Sequence, residues 1–170
     1  MTDIPKITQI ALVVRDLQAT MERLHTVLGW GPWKVYEHKP PAYQDLTFHG
    51  SPADYAVLGA ETQVGPIAFE LLQPLSGESP YQEWLDTHGE GLHHVACMMP
   101  TREGAAGLVA RLNGLGAETL TAGRLADALD FYFLDARDQL GFILETGSGH
   151  SKELVKPLRV YPEHTTSARD

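Results

Sequence analysis

The chain has 170 residues, 43% of them hydrophobic and 21% charged, a globular composition that argues against disorder over most of its length. Thirteen Lys and Arg against 22 Asp and Glu give a formal charge of −9. Nucleic acid and an anionic membrane surface are therefore not expected partners, since both select a basic face. The single cysteine, Cys97, excludes a disulfide framework.

The length allows one ordinary domain or two small modules sharing a core. No apolar run approaches the ~20 residues of a membrane span. The opening MTDIPKITQIALVV has no basic stretch ahead of its apolar residues and no small-residue cleavage site, so no secretory leader is read and a cytoplasmic protein is expected.

Taken in chain order, Ile7 to Val14 is rich in β-branched residues and predicts a strand. Asp16 is a candidate N-cap for a helix whose Leu17, Met21, Leu24 and Leu28 recur at helical spacing, with Gly29 as its C-cap. Residues 33 to 39 read as a strand stopped by Pro40-Pro41. Two short extended stretches follow between 43 and 60, then a strand over Pro66 to Pro74. Ser79-Pro80 and Gly89 bracket a short helix in the connection from 75 to 91.

A second round begins at Leu92 to Met99, a strand, followed by a helix with Thr101 as N-cap. Ala117 to Gly123 and Asp130 to Leu134 are extended candidates, and Leu140 to Thr146 closes the round. Residues 151 to 170 form a C-terminal extension whose last eight or so residues are expected to be frayed.

The order strand–helix–strand–strand–strand thus appears twice, in module one over about 6–74 and module two over about 92–147, within a single domain spanning 1–150. At an offset of 85, Gln9 matches His94, Ala11 matches Ala96 and Gly29 matches Gly114; the closing strands align Glu70 with Glu145. Each copy is too small for a good core, so the two should pack together. The fold class is α+β: tandem βαβββ modules forming a cupped, mainly antiparallel sheet with helices on one side.

The duplication brings Gln9, His94, Glu70 and Glu145 to equivalent places inside apolar strands. Period-two alternation puts Gln9 on the face of Ala11 and Val13, and His94 on the face of Ala96 and Met98 with His93 pointing the other way. If each sheet curls inward, one imidazole, two carboxylates and one amide oxygen converge into a divalent-cation site. A buried carboxylate pair without a counter-ion is costly, which such an ion would relieve.

The sequence resembles the vicinal oxygen chelate superfamily, which includes glyoxalase I, methylmalonyl-CoA epimerase, extradiol dioxygenases and bleomycin-resistance proteins. The resemblance spans roughly residues 6 to 147 and is closest over ELLQPLSGESPYQEWLDTHGEGLHHVA, residues 70 to 96. That run is similar to the epimerase branch, while ITQIALVVRDL and GFILET are shared more widely. The resemblance implies a cupped sheet around one divalent metal held by Gln9, Glu70, His94 and Glu145, with Zn, Co, Ni, Mn or Mg as candidates. The Gln/Glu/His/Glu set looks like that of some glyoxalase I enzymes. The epimerase branch more often has His where Gln9 stands.

Trp33, Tyr36, Tyr132 and His93 are candidates for substrate contact, with Tyr43 and Tyr55 as further pocket candidates. Glu145 and Glu70 are the catalytic candidates: a Lewis acid stabilises the enolate formed when an α-proton leaves a carbonyl compound, and a displaced carboxylate can take and return that proton. The expected activity is epimerase or isomerase chemistry through a metal-bound enolate on a small carbonyl substrate. The alternatives are a glyoxalase I-type lyase acting on a thiol adduct of a 2-oxoaldehyde, and a metal-free drug-binding resistance protein. Half-open modules leave sheet edges that a partner covers, so a homodimer is expected.

Overall fold

The computed structural model describes residues 4–126, 128–149 and 156–163. In chain order the elements are β1 (Lys6–Val13), α1 (Leu17–Leu28), β2 (Trp33–His38), β3 (Tyr43–Phe48), β4 (Ser51–Pro52), β5 (Ala56–Val64), β6 (Ile67–Ser76) and α2 (Pro80–Thr87). There follow β7 (Gly91–Met98), α3 (Arg102–Gly114), β8 (Glu118–Leu125), β9 (Leu129–Ala136), α4 (Arg137–Leu140), β10 (Phe142–Gly149) and β11 (Arg159–Tyr161). Among the described residues no helix is long and apolar enough to cross a membrane.

The helices start and stop where their side chains dictate. Asp16 accepts from the Ala19 amide, Ser79 from Gln82 and Thr101 from Gly104, each satisfying an amide that the first turn leaves unbonded. Gly29 ends α1 in the left-handed region at φ 70°, and its amide donates to the His25 carbonyl.

All eleven strands join one sheet in the order β11-β2-β5-β6-β1-β7-β10-β9-β8-β3-β4. Two pairs are parallel, β1 with β6 and β7 with β10; the central pair β1 and β7 is antiparallel. The register carries the duplication at residue level. Ala11 pairs with Glu70 and Gln9 with Ala68; Ala96 pairs with Glu145 and His94 with Ile143. Across the centre, Gln9 faces Ala96 and Ala11 faces His94.

Helices α1 and α3 cover the outer face, whereas α2 sets Tyr81 and Leu85 against the inner cluster. Leu17 and Met21 of α1 bury Trp33, Val35, Ala60 and Leu71, and Leu112 of α3 packs with Leu134, Ala136 and Leu144. A third apolar cluster, including Tyr43, Tyr55, Leu72, Tyr81, Phe131 and Phe133, lines the inside of the cup.

Three features depart from the expected pattern. First, module one carries an additional hairpin, β3–β4. It does not pair with β2, its neighbour in sequence, but with β8 at the far end of the sheet, Tyr43 opposite Leu125 and Phe48 opposite Thr121. The chain between β2 and β3 therefore crosses from one end of the sheet to the other. Second, β11, in the C-terminal extension, pairs with β2, Tyr161 opposite Trp33. The last eight or so residues, expected to be frayed, lie outside the described residues from 164 onward. Third, the β1–β7 register shifts between Ala11 and Leu12, whose partners are His94 and Leu92. His93 is the extra residue of that bulge, so strict alternation fails there and its ring does not turn to the outer face.

Candidate functional site

The inner face of the cup encloses a cavity of about 870 Å³. Gln9 from β1, Glu70 from β6 and Glu145 from β10 line it, and His94 from β7 reaches the two carboxylates from beneath. His94 is fully buried, whereas the Glu70 and Glu145 side chains keep 16% and 13% of their surface. The carboxylates are thus nearly dry but reachable from the cavity.

His94 Nε2 stands 3.0 Å from Glu145 Oε2 and 3.8 Å from Glu70 Oε2. The shorter approach is not a hydrogen bond: Nε2 is buried and has no hydrogen-bond partner. Its other nitrogen, Nδ1, lies 2.9 Å from His93 Nδ1. One ring of this pair donates from Nδ1 to the other; with His94 as the donor, a neutral ring presents a lone pair on Nε2 to the carboxylates, the form in which an imidazole takes a cation.

His93 is 2% exposed and packs against Tyr81 and Trp84 of α2, with ring centroids 5.3 Å away in both cases. Burial, then the neighbouring His94, holds its pKa well below the usual imidazole value, so it stays neutral and able to accept.

Burial raises the Glu70 carboxyl well above the usual carboxylate range, with Glu145 and Glu61 adding to the rise and a hydrogen bond from Gln9 opposing it. Glu61, on β5 directly across from Glu70, is a third carboxylate lining the cavity. The Gln9 amide donates to Glu61 Oε2 at 3.4 Å. Two buried phenols stand over the same floor. They belong to Tyr43 and Tyr81, and burial raises both well above the ordinary tyrosine pKa. Tyr55 OH lies 3.1 Å from Thr121 Oγ1 and is pushed up to about 12, mainly by burial.

The structure therefore brings Gln9, Glu70, His94 and Glu145 together, and Tyr36 lines the cavity. Trp33 and Tyr132 are not among the lining residues. Trp33 is fully buried under α1 with its Nε1 donating to the Trp30 carbonyl, and Tyr132 packs in the apolar cluster beside α3. His93 sits behind His94 rather than in the cavity wall.

Residues not singled out in the sequence are Glu61, His38, Tyr81, Phe131 and Phe133. Glu61 was reachable in principle. A hairpin folded about Gly65-Pro66 sets it opposite Glu70. The others depend on contacts distant in sequence.

The donor chemistry suits a divalent ion: an unbonded imidazole nitrogen, two carboxylates and an amide oxygen, with a carboxyl whose raised pKa a cation would lower. Among the described residues no three His, Cys, Asp or Glu side chains stand in an arrangement that would enclose a metal ion. Instead His94 and Glu145 approach each other directly.

Residues 8–133 match the model of the Glyoxalase/Bleomycin resistance protein/Dioxygenase superfamily. No curated protein matches the chain. Among solved structures, methylmalonyl-CoA epimerase from Mycobacterium tuberculosis is similar with a TM-score of 0.62 and 21% identity, over 89% of this chain and 93% of that one. A hypothetical protein from Bacillus halodurans gives a TM-score of 0.58 and 21% identity, over 87% and 96% of the two chains. A methylmalonyl-CoA epimerase in complex with methylmalonyl-CoA and ammonium gives 0.57 and 20%, over 91% and 100%. At these identities the likeness is one of fold.

Proposed function

The chain belongs to the glyoxalase/bleomycin resistance protein/dioxygenase superfamily, and from that premise we propose that it is an enzyme moving a proton next to a carbonyl group, an epimerase or isomerase. One observation carries this reading: the unbonded, buried His94 Nε2 facing Glu145 and Glu70 at the floor of a cavity large enough for a small organic substrate. Gln9, Glu70, His94 and Glu145 are the residues that would hold a divalent ion. Such an ion, when bound, supplies Lewis-acid polarisation of a carbonyl oxygen.

The chain's own groups do the rest. Glu145 or Glu70 takes the α-proton on its free carboxylate oxygen and returns it to the same carbon or its neighbour. His93 keeps the His94 ring in one tautomer and orientation. The apolar inner wall excludes water, so the charge that develops on the substrate is not diluted by solvent.

The structural likeness to methylmalonyl-CoA epimerases supports the epimerase form of this reading. The same groups would also serve a glyoxalase I-type rearrangement. Both are tested by one screen: metal-replete protein in D₂O with 2-substituted thioesters, thiol adducts of 2-oxoaldehydes and keto compounds, followed by proton NMR. Washout of an α-proton from one class supports the proposal and names the class. No washout from any class, with metal bound, contradicts it.

A second reading, sequestration of a ligand without chemistry, is favoured by the volume and apolar inner wall of the cavity. It predicts tight ligand binding with no exchange. The assembly that goes with either reading is a homodimer. Ile7 and Leu92, on the central strands β1 and β7, are 54% and 50% exposed, apolar surface that a second copy would cover. A monomer by light scattering at micromolar concentration contradicts the dimer.

A further inference from the structure

One wall of the cavity is aromatic from the seam of the sheet to the site floor. Tyr36 and His38 lie two apart on β2, near one end of the sheet, and Tyr43 lies on β3, near the other. Their rings bridge that seam as a near-parallel ladder. The Tyr36–His38 centroids are 5.9 Å apart at 17°, and the His38–Tyr43 centroids 5.6 Å apart at 20°. The run continues inward. Phe131 lies 5.5 Å from Tyr43, Phe133 lies 6.1 Å from Phe131, and the Phe133 ring meets His94 edge-on at 4.7 Å. Tyr36, His38, Tyr43, Phe131 and Phe133 all line the cavity.

Two further features fit this wall. The His38 ring packs over Gly59, 3.5 Å from where a Cβ would sit, so a larger residue at 59 would compete with the ladder. His38 Nδ1 is buried without a hydrogen-bond partner, and burial lowers the ring's pKa to about 4. The middle rung is therefore uncharged at neutral pH. The charged lining among the described residues is Lys6, Glu61, Glu70 and Glu145. Lys6 is the one cationic side chain among these described lining residues, so the cavity wall offers no cluster of basic groups to clamp a phosphate.

We propose that this aromatic wall is the subsite for the substrate's tail, and that the substrate is a phosphate-free carbonyl compound bearing an aromatic ring. The ring stacks along Tyr43 and Phe131, and the reacting carbonyl lies at the floor beside His94. Only the placement of the carbonyl end rests on the proposed proton-transfer reading; the subsite itself rests on the wall. An aromatic ligand gains more on such a surface than its area alone supplies, because offset and edge-on ring pairs add to burial.

The test is binding of three uncharged hydroxy ketones to the metal-replete full chain by isothermal titration: hydroxymethyl phenyl ketone, hydroxymethyl cyclohexyl ketone and hydroxyacetone. The phenyl compound should bind more tightly than the cyclohexyl one by roughly threefold to tenfold. Its ring protons should shift upfield on binding. Both effects should disappear in His38→Leu and in Tyr43→Leu. Tyr36→Leu, at the outer end of the ladder, is the second variant should Tyr43→Leu fail to fold by circular dichroism. Equal or tighter binding of the cyclohexyl compound overturns the proposal. So does a phenyl preference that survives in all folded variants, or tighter binding of acetoacetyl-CoA than of the phenyl ketone. A phenyl preference without α-proton exchange leaves the subsite standing and removes the reaction; exchange without a phenyl preference does the reverse.

Discussion

His94 Nε2 and Glu145 Oε2 approach to 3.0 Å without a hydrogen bond between them. A lone pair facing a carboxylate oxygen in a nearly dry site is unfavourable unless a proton or a cation lies with them. Direct metal titration follows from this. His94→Ala removes a ligand outright and should weaken divalent-metal binding more than Glu145→Gln, which keeps a neutral oxygen. Calorimetric titration with Mn²⁺ or Zn²⁺ reads the order; the reverse order contradicts the assignment.

His93 is expected to act through His94. Its Nδ1 is the partner of His94 Nδ1 at 2.9 Å. His93→Leu keeps a buried side chain of similar bulk but leaves His94 Nδ1 unpaired. Metal affinity should fall by about 10–100-fold, the usual cost of losing such an orienting partner. An unchanged affinity in a folded variant removes His93 from the site.

Trp33 separates packing from binding. It is fully buried under α1 and absent from the cavity wall. Trp33→Ala should lower the unfolding free energy by about 3–5 kcal/mol in urea. Ligand affinity of the protein that remains folded should not change. A loss of affinity with full stability would place Trp33 in the binding wall after all.

His38 gives stability a defined pH dependence. Its pKa falls from 6.5 to about 4 on folding, through burial. Between those values the unfolded chain binds the proton and the folded one does not, so stability rises with pH through this window and is lost as pH falls from 6.5 towards 4. The shift corresponds to roughly 3 kcal/mol. His93, also held low by burial, adds in the same direction. His38→Phe should therefore lose less stability than the wild type between pH 7 and pH 4.5, read by urea unfolding. Identical losses contradict a neutral buried His38.

The duplication was legible because it is written locally. Cap residues such as Asp16 and Thr101 and the apolar strand runs repeat, and the strand register follows the two matches: Gln9 and Ala11 on β1 take the places of His94 and Ala96 on β7, and Glu70 on β6 takes the place of Glu145 on β10. The duplication put Glu70 and Glu145 at equivalent places, and their convergence was read on the condition that the sheet curls inward. What local pattern could not carry was long-range pairing. The β3–β4 hairpin joins β8 across the sheet, which brings Tyr43 over the site. The bulge at His93 inserts one residue into the period and turns a second imidazole inward. Trp33 and Tyr132 looked like pocket residues because large aromatics serve either face of a sheet, and the side that α1 and α3 cover decides which.

The central claim is that a carboxylate at this site moves a proton next to a carbonyl. Its most direct test is the rate of α-proton exchange in D₂O, by NMR, for the wild type, Glu145→Gln and Glu70→Gln, each with metal bound and with the substrate class that the screen identifies. If Glu145 or Glu70 is the base, exchange should fall by about 10²-fold or more in at least one variant while the metal stays bound. Undiminished exchange in both variants would contradict carboxylate-mediated proton transfer at this site.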